Sequence, residues 1–166
     1  MDTITTADTT TELLEAAQEG SVERCKAAVD QGADILVIDS WGGSLLHTSA
    51  CKGFSELSAW LLAAGIDPNI QNTKGRTPLH LAAGKNFTDI ILHLLKAGAN
   101  PNIRNNWGIT CFQWAVSQNA VRSVKLMKRF KHISEITRPD ESLFTPDGKL
   151  PYDIATSEEM KRVLLE

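Results

Sequence analysis

A 33-residue self-similarity limits what this chain of 166 residues can fold into more than any other feature. Its clearest copy is residues 72–104, NTKGRTPLHLAAGKNFTDIILHLLKAGANPNIR. Thr77 is a helix-capping residue type, and Pro78 suits the first helical position, where a missing N–H has no intrahelical partner to lose. Leu79, Ala82 and Ala83 then form one slim apolar face, and Gly84-Lys85-Asn86 stops the helix. A second helix carries Ile90, Ile91, Leu94 and Leu95 as one stripe and is closed by Gly98. Helices this short are marginal alone, so the unit needs copies of itself to cover its apolar faces.

The copies are present. One period back lies Ser44-Leu45-Leu46-His47 and one period forward Thr110-Cys111-Phe112-Gln113, each preceded by a glycine at the same offset (Gly42, Gly75, Gly108). A further step back reaches Thr11-Glu12-Leu13-Leu14. Gly32-Ala33-Asp34, Gly65-Ile66-Asp67 and Gly98-Ala99-Asn100 keep the same register at the other end of the unit. Residues 77–100 resemble the ankyrin repeat nearly letter for letter in its Thr-Pro-Leu-His, Ala-Ala, Leu-Leu and Gly-Ala-Asp anchors. The resemblance implies an all-α solenoid of about five helix–turn–helix repeats with β-turn fingers, two of the repeats acting as caps.

In this register residues 1–9 are a flexible leader and 10–166 the repeat domain, with repeats at about 10–38, 39–71, 72–104, 105–136 and 145–166. The first repeat's helices are expected at Glu12–Gln18 and Val22–Gln31, with Glu12, Glu15, Glu19 and Glu23 on faces that no earlier repeat covers. Trp60 takes an aliphatic position on the second helix of repeat two and reads as core. Repeat four departs from the family pattern, with Cys111 for proline, Gln113 for histidine and no closing Gly-Ala-Asp. Trp114 is expected to pack against the next helix. A loop insertion at about 131–146, rich in proline, acidic and hydroxyl residues, separates repeat four from Leu150-Pro151-Tyr152-Asp153 of the fifth.

Charge is distributed unevenly. Residues 1–70 hold eleven acids and three bases, 3 − 11 = −8, and the net charge of −3 leaves +5 for the remainder. In a stack that keeps sequence order as spatial order this makes an acidic end and a basic end. The basic segment Arg122 to His132 places Arg122, Lys125 and Arg129 on one helical face, beside Lys128 and Lys131. A solvated outer face, an acidic protein partner or, least favoured, a nucleic acid or anionic lipid would each account for it. Cys25, Cys51 and Cys111 lack metal-ligand spacing and read as free thiols. The polar N-terminus and the lack of a long apolar run argue against a signal peptide or membrane span and for the cytosol or nucleus.

No catalytic constellation, metal site or cofactor motif emerges. His47 and His80 occupy the family's cap position, which implies a structural role, and His93 and His132 have no ligand partners at metal spacing. The resemblance implies protein–protein recognition through the concave surface of finger tips and first-helix ends, by a chain monomeric on its own. A regulatory or inhibitory subunit, or a pathogen-type effector that blocks or recruits an enzyme, is the alternative.

The finger residues in this register are Ser40, Trp41 and Gly43, then Thr73, Lys74 and Arg76, then Asn106, Trp107 and Ile109, with Pro146, Asp147 and Lys149 following. Cys51, Lys52, Lys85, Ser117 and Gln118 at first-helix ends would line the floor. Two indoles at one slot of alternate repeats, about 20 Å apart at ~10 Å per repeat, suggest a partner offering two apolar pockets that flank an acidic patch. The competing expectation is that each indole merely lies over the neighbouring finger, with Lys74 stacked on its face.

Overall fold

The computed structural model describes residues 6–130 and 145–165. Among these residues ten helices form five successive pairs: α1 (Thr6–Glu19) with α2 (Val22–Asp30), α3 (Leu45–Lys52) with α4 (Ser55–Ala63), α5 (Pro78–Gly84) with α6 (Thr88–Lys96), α7 (Cys111–Ser117) with α8 (Val121–Arg129), and α9 (Pro151–Ile154) with α10 (Glu158–Leu165). Odd-numbered helices stack on odd and even on even, each on its immediate neighbour, which makes the stack a solenoid. The described residues contain no β-strand, only antiparallel bridges at Ile38–Ser44 and Arg104–Thr110, which mark the bases of two fingers.

The core runs continuously through the stack. Leu13, Ala16 and Ala17 face inward from α1, Leu45, Leu46 and Ala50 from α3, Leu79, Ala82 and Ala83 from α5, and Phe112, Ala115 and Val116 from α7. The even helices close it with Leu57 and Leu61, then Ile90, Ile91 and Leu94, then Val124 and Met127, then Met160 and Val163. Burying a Leu or Ile side chain contributes about 1.5–3 kcal/mol, and each repeat supplies several, so neighbours stabilise helices too short to persist alone. Trp60 is half-buried against this core.

A packing rule links each helical turn to the next repeat. A residue within two positions of the first helix's end is left-handed at Gly20, Gly53, Asn86 and Asn119, spaced by one period. A Cβ on Gly20 would lie 2.7 Å from the ring of Phe54, and one on Gly53 would lie 2.8 Å from the ring of Phe87. Ala120 takes the corresponding place beside Asn86, and the room so freed lets the asparagine accept a hydrogen bond from the Ser123 N–H at 2.8 Å. Glycine thus stands where the next repeat supplies phenylalanine, and asparagine where it supplies alanine.

The ends differ from the sequence expectation. Helix α1 starts at Thr6, not Glu12, and takes in residues 6–9 assigned above to a leader. Thr9 is buried, so this first turn belongs to the packed structure despite its lack of large apolar residues. Exposed Glu19 and half-buried Glu12 both bond Arg24 of α2, which offsets part of the acidity of this end. The insertion lies outside the described residues except for Thr145 and Pro146, and both of these already belong to the fifth finger.

Candidate functional site: the finger face

Four fingers share one construction. The Asp39 carboxylate accepts the N–H groups of Trp41 and Gly43 at 2.7 Å each. Asn72 accepts those of Lys74 and Arg76 at 3.0 and 3.1 Å, and Asn105 those of Trp107 and Ile109 at 2.9 and 3.1 Å. In the fifth finger the Thr145 hydroxyl accepts the Lys149 N–H at 3.0 Å. A short polar side chain thus closes each turn internally and leaves the tip side chains free to project. Successive fingers are also joined: Thr73 donates its N–H and hydroxyl to the Trp41 carbonyl at 3.0 and 2.7 Å. Asn106 repeats the device one period later, to the carbonyls of Lys74 and Thr73.

Below the fingers, the cap residues bind forward along the stack. His47 Nδ1 accepts from the Ser44 N–H and hydroxyl, and its Nε2–H donates to the Arg76 carbonyl at 2.9 Å. His80 does the same with Thr77 and the Ile109 carbonyl, the latter at 3.0 Å. A carbonyl can only accept, so both rings are neutral Nε2–H tautomers. Burial holds the His47 pKa below its ordinary value. For His80 burial, with Arg76 and His47 nearby, outweighs the Ile109 bond and brings the pKa to about 4. Gln113 substitutes for histidine in repeat four: its Oε1 accepts the Thr110 N–H at 3.0 Å. The departure noted in the sequence therefore preserves the cap.

Two grooves open on this face. The first, about 300 Å³, is lined by Trp41, Gly43, Cys51, Lys52, Thr73, Lys74 and Arg76 among others, so seven of the residues expected from sequence share one wall. The second, about 320 Å³, brings Trp107, Ile109 and Ser117 against Pro146, Asp147 and Lys149 of the fifth finger. Trp41 is 66% exposed and Trp107 50%, whereas all other tryptophans are half-buried. Ser40 and Lys85 are exposed but line neither groove, and Gln118 caps the end of α7.

Cations sit on the indoles. Lys74 Nζ lies 5.8 Å from the Trp41 ring centre, and the Arg76 guanidinium carbon lies 5.2 Å from that of Trp107 and 4.2 Å from that of Trp114. The expectation that Lys74 stacks on a neighbouring indole therefore holds. Trp114 lies back over α5, where a Cβ on Gly84 would come within 2.4 Å of its Nε1. Cys51 and Ser117 stand one period either side of Gly84, so the bare glycine is the sequence signal that could have found this contact. Trp114 and Leu81 are among the residues of this face that the sequence reading missed, as are Gln18 and Thr48 of the first groove and Ile154 of the second.

Other polar groups have structural duties. Lys52 Nζ donates to the Gln18 carbonyl at 2.7 Å, at the end of α1, although the side chain stays exposed. On α8, Arg122, Lys125 and Arg129 are exposed as their spacing implies, but Lys128 Nζ donates to the carbonyls of Val163 and Leu164. All three cysteines are free; Cys51 is exposed, and burial raises the Cys25 and Cys111 pKa values, the latter to about 12. Among the described residues no three His, Cys, Asp or Glu side chains gather as a metal-ligand set, and no helix is long and apolar enough to cross a membrane.

Comparison with curated proteins gives no match. A family model for ankyrin repeats, in three copies, matches residues 13–105. That span is more than half of the sequence, and its three-copy periodicity is the periodicity of the helix pairs and fingers described above. The chain belongs to the ankyrin-repeat family, whose members are generally protein–protein interaction modules and typically non-catalytic.

Proposed function

We propose that this chain is a non-catalytic recognition module that binds a protein partner through its finger face. The observation that carries this reading is the pair of solvent-exposed indoles, Trp41 and Trp107, at one slot of alternate fingers beside two grooves and two cations that no carboxylate bridges among the described residues. Finger tips have no core to fill, and exposed tryptophan and arginine are the residue types that dominate interface energetics. A rigid stack also orders these side chains before binding, which reduces the entropy lost on association. The ring nitrogens of His47 and His80 are engaged in cap and finger bonds, which supports a scaffold role for these two over acid–base chemistry. The same reading treats the chain as a monomer of the cytosol or nucleus, in keeping with three free thiols.

The test is affinity capture of a partner and measurement of its binding to variants. Trp107→Ala and Arg76→Ala should each weaken binding by about 2 kcal/mol or more with small effects on melting. Arg129→Ala on α8 is the control. Loss of binding there, with both finger variants unaffected, would move the function to the basic helix; a steep fall of affinity with salt would then point to nucleic acid.

A further inference from the structure

Arg76 is a cation held in place without a counter-ion among the described residues. Its guanidinium lies against two indoles, Trp107 and Trp114, and burial lowers its pKa. The buried Nε has no hydrogen-bond acceptor, and among the described residues no carboxylate bridges the guanidinium. A guanidinium carries its outer N–H edge in its own plane. That edge matches a carboxylate, which can accept two parallel N–H bonds.

The surroundings select an anion and narrow its kind. Arg76 lines the first groove with Lys74 and Lys52, and the only carboxylate on that wall, Asp39, is already engaged by the Trp41 and Gly43 N–H groups. Three cations against one carboxylate leave the groove positive, 3 − 1 = +2, with His47 neutral. Phosphate sites are commonly cradled by free backbone N–H groups, and here those of Lys74 and Arg76 both donate to Asn72. A carboxylate needs no such cradle.

We propose that Arg76, held against Trp107 and Trp114, is the receptor for an aspartate or glutamate side chain in an extended acidic segment of a protein partner, with Lys74 as the second cation. This inference rests on the recognition reading above and names the chemistry of its partner. Trp41 and Trp107 then flank the seated carboxylate and contact apolar residues beside it.

Selection of displayed random peptides on the immobilised full chain tests it. Enriched peptides should share an Asp or Glu at one position. Changing that residue to the corresponding amide in a synthetic copy should weaken binding about tenfold, the usual loss for a charge-assisted hydrogen bond. Arg76→Gln protein should lose the same factor toward the acidic peptide and nothing further toward the amide peptide. Arg76→Lys keeps the charge without the two-donor edge and should recover only part of the loss, and melting curves of both variants should stay close to the parent. Peptides that bind, lose affinity on Trp107→Ala and carry no acidic position would overturn the receptor and leave the recognition reading standing. Independent, multiplying losses from Arg76→Gln and the amide peptide would also overturn it, as would tighter binding when phosphoserine replaces the acid. No enrichment, or binding indifferent to Trp107→Ala, would overturn the recognition reading and the receptor with it.

Discussion

The third and fifth repeats use the same opening, a capping position followed by proline, and build different helices from it. Helix α5 runs for seven residues between neighbours on both sides, with the Thr77 hydroxyl and the His80 ring bonded reciprocally. Helix α9 runs for four, and the Leu150 side chain has no oxygen to offer; of the two side-chain cap bonds only the return bond remains, from the Leu150 N–H to Asp153 at 2.9 Å. The histidine does two jobs, capping its own helix and holding the carbonyl of the next finger. Asp153 performs the first alone, and among the described residues no later finger follows it. The Thr-Pro-Leu-His element is thus a joint between repeats as much as a helix start.

The largest effect that would sharpen this contrast lies in the core. Leu94 is fully buried with repeats on both sides, so Leu94→Ala should cost about 2–5 kcal/mol in urea melts, against about 1 kcal/mol for Val163→Ala in the terminal α10. Equal losses would deny the centre its special role.

Acid should weaken the joints next. An unfolded histidine takes its proton near pH 6.5 and folded His80 only near pH 4, so between those values the unfolded chain holds more protons. Stability supplied by the neutral ring is complete above pH 6.5 and is lost as pH falls toward 4, by about 3 kcal/mol for this residue. Gln113 shows that an amide can fill the cap, so His80→Gln should keep stability at pH 7 within about 1 kcal/mol and flatten the pH dependence. Parallel pH curves for parent and variant, from urea melts across that range, would place the acid sensitivity elsewhere.

A smaller effect tests the contact made by Trp114. Gly84→Ala should push the indole off α5 and cost about 1–3 kcal/mol, with a change in tryptophan emission as Arg76 loses one of its two rings. The mildest change is Asn86→Gly, which removes the bond to the Ser123 N–H and should cost about 1 kcal/mol; Gly53→Asn, facing Phe87, should cost more. Thermal melts of the pair would rank them.

These joints also explain what could be read in advance. Period, element order and the capping roles of His47 and His80 were legible because each depends on residues within one repeat and its translated copy. The start of α1 was not, since Thr6 to Thr9 carry no large apolar group and the burial of Thr9 arises only from packing. Thr73, Asn106 and Lys52, expected as binding residues, also have structural partners that were not foreseen: the first two tie fingers together and the third holds the end of α1. A polar side chain in a turn looks the same whether its partner is a neighbouring finger or another protein. The backward lean of Trp114 depended on a missing Cβ at Gly84, a contact across repeats.

The four tryptophans give the most direct measurement of the central claim, that the finger face is where a protein partner binds. Their indole N–H signals in a ¹⁵N–¹H spectrum report separately on the two finger tips (Trp41, Trp107), the Arg76 stack (Trp114) and helix α4 (Trp60). On titration with a captured partner or a selected peptide, the signals of Trp41, Trp107 and Trp114 should shift in concert and saturate together while that of Trp60 stays in place. A saturating shift of Trp60, with the three finger-face signals unmoved, would contradict the account.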